Sequence, residues 1–196
     1  MINGIVGGDT LGYRFQIAII GGRDIDQDAQ QLVEDISTML VEEGYRIVTG
    51  GLGKLPSAVH RGAKSASNRT DADTIAILPG FDPEPAINHA DIIIPTGLDV
   101  SRNAIVANSD AVIAIGGGAG TLSEIAYAWQ FKRPILATFV EGWSSNLVGQ
   151  SVDNRSRVAD NSVEDIIFPC HTIEDIRIKL EEVLPLFTKR HNGIPE

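Results

Sequence analysis

What constrains this chain most is an alternation along its length. Short apolar runs closed by glycine each lead into a longer segment with apolar residues at helical spacing. Phe15 to Ile20 (FQIAII) is the first run, and Gly21-Gly22 stop it. A strand without a polar face is covered on both sides, which is the habit of parallel sheets wrapped by helices. The next segment sets Ala29, Leu32, Val33, Ile36, Met39 and Leu40 on one helical face, and Gly44 closes it as a C-terminal glycine does.

The pattern then repeats. Arg46 to Val48, Thr74 to Leu78, Ile92 to Ile94, Ala111 to Ile115 and Pro134 to Phe139 read as strands. Ser57 to Ser67, Arg102 to Asn108 and Leu122 to about Lys132 read as helices between them. Asp165 to Phe168 reads as a last strand, and Thr172 caps a final amphipathic helix carrying Ile176, Leu180 and Val183. Strands alternating with helices pair in parallel through right-handed crossovers. The predicted fold is therefore α/β: a three-layer Rossmann-like sandwich on a mostly parallel sheet, with residues 1–196 as one domain. The polar stretch from Glu141 to Val163 has no period and is predicted to be a mobile loop. Its Arg155 and Arg157 are lid candidates if that loop closes on a ligand.

Composition enters by exclusion. Sixteen Lys plus Arg against 26 Asp plus Glu leave a net charge of −10, a field that repels nucleic-acid backbones. No nucleic-acid partner is expected. One cysteine, Cys170, excludes an internal disulfide, and His60, His89, His171 and His191 are scattered without ligand spacing, so no metal site is expected. No apolar run approaches the roughly 18 residues of a membrane helix. Met1 to Arg14 has no signal-like pattern, and the chain is read as cytoplasmic.

Chemistry is expected at three glycine junctions: Gly21-Gly22, Gly50-Gly51, and Gly116-Gly117-Gly118-Ala119-Gly120. In a parallel sheet all three fall at the carboxyl edge, where glycine lets backbone approach a phosphate and the next helix offers unpaired N–H groups. Two familiar phosphate motifs fail. Gly53-Lys54 is followed by Leu55 rather than a hydroxyl residue, and Thr121 stands where a dinucleotide fingerprint needs its third glycine. Thr121 and Glu124 also match a plain T-x-x-E capping box. Trp129 is read as core, and Phe139 and Trp143 either pack or stack a ligand's base.

The segment SRNAIVANSDAVIAIGGGAGTLSEIAYA resembles the lysine-decarboxylase-like superfamily, which includes the Lonely Guy cytokinin phosphoribohydrolases. Their hallmark is P-G-G-x-G-T-x-x-E with an arginine one short helix upstream. The likeness covers roughly Phe15 to Phe139. It is strongest to a largely uncharacterised bacterial and archaeal branch, some of whose members are molybdenum-cofactor carriers. The superfamily's decarboxylase label finds no support here, because no Schiff-base lysine constellation is visible.

The resemblance implies hydrolysis of the N-glycosidic bond of a nucleoside 5′-monophosphate, giving free base and ribose 5-phosphate. Arg102 and Glu124 would be catalytic. Gly116, Gly117, Gly118, Gly120 and Thr121 would hold the phosphate, and Gly21, Gly22, Gly50, Gly51 and Asn103 would complete the ligand site. Glu124, near a helix N-terminus, is expected to stay ionised. No cofactor is required, although a bound nucleotide or phosphorylated pterin fits the reading. The implied partners are a nucleotide-like small molecule and further copies of the chain, since relatives pair beside the active site.

Departures keep an alternative open. Gly116 replaces the leading proline, Asn103 replaces a lysine, and the helix after Arg102 is one residue short, a rotation of about 100°. These favour a non-catalytic carrier or sensor of a phosphorylated ligand such as molybdenum cofactor. A DNA-processing role, known on a related fold, is disfavoured by the charge.

Overall fold

Residues 13–154, 156–158 and 163–187 are described by the computed structural model of the chain. Its seven strands are β1 (Gln16–Gly21), β2 (Arg46–Thr49), β3 (Thr74–Leu78), β4 (Ile92–Pro95), β5 (Ala111–Ile115), β6 (Ile135–Thr138) and β7 (Phe168–Cys170). They form one sheet in the order β4-β3-β2-β1-β5-β6-β7, and every pairing is parallel. The helices are α1 (Gln27–Glu42), α2 (Lys54–Ser65), α3 (Asn103–Ala107), α4 (Ala119–Gln130), α5 (Trp143–Leu147) and α6 (Ile173–Val183).

The period of two along β1 shows why its run is apolar throughout. Ile17 and Ile19 pack into the layer that holds α1, α2 and α6, whereas Ala18 and Ile20 pack against α3 and α4. Both faces are buried, so neither set of positions can be polar. The chain moves outward from β1 through β2 and β3 to β4, then returns to the other side of β1 as β5. The sheet's switch point therefore lies between β1 and β5, at the carboxyl ends where open α/β sheets form a crevice.

Three boundaries differ from the sequence reading. Helices α2 and α4 begin about one turn early, because Gly53 and Gly118 start them instead of a side-chain cap. The last strand is Phe168–Cys170, not Asp165 to Phe168. Asp165 and Ile166 are held off the sheet by Arg157: the carboxylate accepts from its Nε at 2.7 Å, and the Ile166 carbonyl accepts from its Nη2 at 3.1 Å.

A further difference concerns the supposed mobile loop. Its first residues form α5, whose buried Ser144 hydroxyl accepts from Gly116 N at 2.6 Å and donates to the Thr138 carbonyl at 3.0 Å. Arg157 is no lid: its guanidinium lies buried 3.5 Å over the Trp129 ring and donates to the Arg133 carbonyl. Arg155 lies outside the described residues, as does His191. Trp129 is in the core, 1% exposed. Among the described residues no helix is long and apolar enough to cross a membrane.

Candidate functional site

A cleft of 310 Å³ opens at the switch point, near the lower end of the ~300–1,000 Å³ typical of small-molecule sites. From β1 come Gly21, Gly22 and Arg23; from β2, Gly50 and Leu52; from α4, Gly118, Gly120, Thr121 and Glu124. The segment after β4 adds Asp99, Val100, Arg102 and Asn103.

The glycines divide by what surrounds them. A Cβ on Gly21 would lie 2.3 Å from the Ile115 carbonyl oxygen, so glycine is what lets β1 and β5 end side by side. A Cβ on Gly50 would lie 2.5 Å from Arg102 Nη2, because the guanidinium lies directly against this backbone. Gly118 and Gly120 have open space instead, with nothing within 4 Å of an added Cβ. Gly51, Gly116 and Gly117 stand behind the cleft wall and do not line it. Gly51 packs on Leu78, and Gly116 and Gly117 form the turn that bonds to α5 through Ser144 and Trp143. All three have positive φ, so their glycine serves the backbone path.

The three helices that start at the cleft, α2, α3 and α4, lack a side-chain cap, whereas α1 and α6 are capped by Asp26 and Thr172. The first N–H groups of α4 therefore remain available at the cleft, with the positive end of the helix dipole behind them. Thr121 sits at the third position of α4 and Glu124 a turn further in, so the T-x-x-E capping box does not form. Asn103 Nδ2 donates to Ser123 Oγ at 2.8 Å, and Ser123 Oγ donates to the Gly120 carbonyl at 2.7 Å, which ties α3 to the first turn of α4.

Arg102 and Glu124 do meet, across 22 residues of sequence. Arg102 Nη1 donates to Glu124 Oε1 at 3.0 Å and Nη2 to the Gly50 carbonyl at 3.1 Å, while Nε is buried without a hydrogen-bond partner among the described residues. Burial pushes the Glu124 carboxyl up to about 7, against the opposing pull of the Arg102 charge and hydrogen bond. This corrects the expectation of a fully ionised Glu124. The residue is 6% exposed and lies beyond the first turn, where the helix dipole acts, so desolvation wins.

A stability signature follows from the sign of that shift. A carboxyl raised from 4.5 to about 7 on folding contributes stability below pH 4.5 that is lost as pH rises through about 7. The melting temperature of the wild type, measured against Glu124→Gln, is expected to fall between about pH 5 and pH 8, because the amide cannot titrate. A difference that stays flat across this window would place the carboxyl outside the buried pair.

Two charged lining residues escaped the sequence reading. Arg23 follows Gly21-Gly22 directly, a position that a phosphate reading of that junction makes suspect. Asp99 carried no signal, because its left-handed backbone (φ +50°) is set by the turn after β4. Phe139 and Trp143 do not line the cleft; Phe139 stacks on His171 at 4.1 Å, and Trp143 N donates to the Gly117 carbonyl.

This sheet order, with glycine-led helix starts and a cleft at the β1–β5 switch point, defines a Rossmann-like α/β protein. The chain belongs to the SLOG cluster4 family (LDcluster4), whose model matches residues 14–167. This agrees with the resemblance to the Lonely Guy and lysine-decarboxylase-like superfamily. An uncharacterized protein of Archaeoglobus fulgidus is 37% identical over 114 residues, 58% of this chain and 72% of that one. The fold matches the X-ray structure of the structural-genomics target TM1055 (TM-score 0.73, 23% identity, 86% of this chain and 99% of that one). It also matches the molybdenum cofactor binding protein of Rippkaea orientalis (0.69, 25% identity, 87% and 97%). The molybdenum cofactor carrier protein of Chlamydomonas reinhardtii is similar as well (0.66, 22% identity, 87% and 98%).

Proposed function

We propose that the cleft binds and retains a phosphorylated heterocyclic ligand, so that the chain acts as a carrier or sensor. The observation that carries this reading is the uncapped start of α4, where Gly118 and Gly120 leave open space for a phosphate in a cleft that Arg23 also lines. Backbone N–H groups at a helix N-terminus with a nearby guanidinium suit a dianion. The similarity to a molybdenum cofactor binding protein supports a phosphorylated pterin as the cargo. The lining residues include neither cysteine nor histidine, so the chain's grip falls on the organic part and its phosphate. Arg102 is engaged by Glu124 and Gly50, which suits a fixed wall better than a group free to follow a reaction.

One observation favours the phosphoribohydrolase as a second reading. Glu124 lines the cleft with a carboxyl pushed up to about 7, where it can exchange a proton near neutral pH. Further copies of the chain are the other partner in this reading. Phe81, Ile87, Ile94, Leu98, Val100 and Ile105 are exposed large apolar side chains gathered between residues 81 and 105, beside edge strand β4 and the cleft. A second copy would cover them. The net charge of −10 continues to disfavour a nucleic-acid partner.

Native mass spectrometry of freshly purified protein, followed by incubation with a panel of nucleoside 5′-monophosphates, tests these points together. The expected result is a multiple of 21.0 kDa carrying an intact phosphorylated ligand, with no free base formed. Release of base and ribose 5-phosphate that is lost in Glu124→Ala would establish the hydrolase instead. A bare 21.0 kDa species that retains none of the panel would count against both the carrier and the oligomer.

A further inference from the structure

The two ends of the cleft differ in character. The end between β1 and β5 offers N–H donors at the uncapped start of α4, and Arg23, whose carbonyl accepts from Lys54 N at the start of α2, adds a positive charge to the cleft lining. At the other end Asp99 contributes an acceptor, while Arg102 and Asn103 of the same segment are bonded to Glu124 and Ser123. The backbone N–H of Asp99 donates to the Pro79 carbonyl at 3.0 Å, which places the residue at the end of β3. Its φ of +50° is a conformation that a residue other than glycine adopts at some cost. The carboxylate is exposed and has no hydrogen-bond or ion-pair partner among the described residues. Arg102, three residues on, turns to Glu124 and Gly50 instead.

β3 is two strands from β1 and three from β5. At ~4.8 Å per strand, the acceptor and anion ends stand about 10–14 Å apart. Leu52, Pro79 and Val100 line the cleft near Asp99 and offer apolar walls for a flat ring. The cleft thus suits a molecule with a phosphate at one end and a planar heterocycle bearing hydrogen-bond donors at the other.

We propose that Asp99 selects the heterocycle: its carboxylate accepts two adjacent N–H donors from a 2-amino-4-oxopyrimidine ring, the edge shared by guanine and pterins. This rests on the phosphate-anchored ligand site proposed above and names the ligand class that site takes. A carboxylate has two coplanar oxygens and takes a pair of parallel N–H groups in the same way that it takes the arginine fork. Hypoxanthine presents one N–H on that edge because the 2-amino group is missing. Adenine presents an acceptor nitrogen where the carboxylate needs a donor, and is repelled.

Calorimetric titration of the full chain with GMP, IMP, AMP and neopterin phosphate tests the assignment. GMP or neopterin phosphate is expected to bind about tenfold tighter than IMP, with AMP weakest. The order of those two tells guanine from pterin as the source. Asp99→Asn and Asp99→Gly both tolerate the left-handed backbone. Each is expected to bring GMP down to the level of IMP while leaving AMP undiminished or tighter, because the repelling carboxylate is gone. An equal fall for all three nucleotides would show Asp99 reading the sugar or shaping the turn, and would overturn the proposal. A wild type that binds all of them without preference overturns it as well. If no phosphorylated compound binds the wild type, the phosphate-site reading itself fails, and this inference falls with it.

Discussion

Gly120→Asp is expected to abolish ligand retention without weakening the fold. Gly120 is the second residue of α4, and a Cβ there meets nothing within 4 Å, so the side chain enters without strain. A carboxylate in the first turn interacts favourably with the helix dipole by ~0.3–1 kcal/mol, and replacing glycine inside a helix adds a few tenths more. The melting temperature should therefore hold or rise. The same carboxylate would sit where the proposed phosphate sits. Two unit charges ~4 Å apart near a protein surface repel by ~4 kcal/mol, enough for a loss of at least about a hundredfold in affinity. Gly120→Ala, which adds bulk without charge, is expected to fall between the variant and the wild type. Thermal melting and nucleotide titration on the three proteins read both quantities. Undiminished binding in Gly120→Asp would move the phosphate away from α4.

The other large effect is expected far from the cleft, at Arg157. Its side chain is fully buried between the Trp129 ring, the Asp165 carboxylate and two backbone carbonyls. Arg157→Ala would leave Asp165 without its ion-pair partner and expose one face of Trp129. Breaking a buried pair by removing one member costs ~3–5 kcal/mol. For a chain of this size that corresponds to a fall in melting temperature of roughly 10 °C. Arg157→Lys is expected to recover little, because an ammonium cannot fork to Asp165 and stack on the indole together. Nucleotide affinity should stay near wild type in both variants. A selective loss of affinity with normal stability would restore the lid role that the sequence suggested.

These two sites mark how far the sequence can be read. The strands were legible because a doubly covered sheet forces both faces of each strand to be apolar, and Ile17 to Ile20 carry that demand openly. Glycine pairs at the strand ends marked the carboxyl edge for a similar reason, since close backbone packing there excludes a Cβ. Which glycine faces a ligand was not legible. Gly116 and Gly117 differ from Gly118 and Gly120 in φ and in what stands opposite, Glu141 and Thr121 respectively, and their carbonyls accept from α5, a helix contributed by a stretch that had read as a mobile loop.

The sequence by itself determined the layers, the sheet and the edge at which chemistry can occur, because burial on both faces leaves a local record in every strand. The family resemblance named Arg102 and Glu124, but the partner and the burial of each charged group were decided by tertiary structure. Arg102 finds Glu124 across the cleft floor, Arg157 finds Trp129 and Asp165, and Asp99 stays unpaired at the rim. A charge's role is set by its desolvation and by the partner within a few ångströms, and neither is written in the residues beside it.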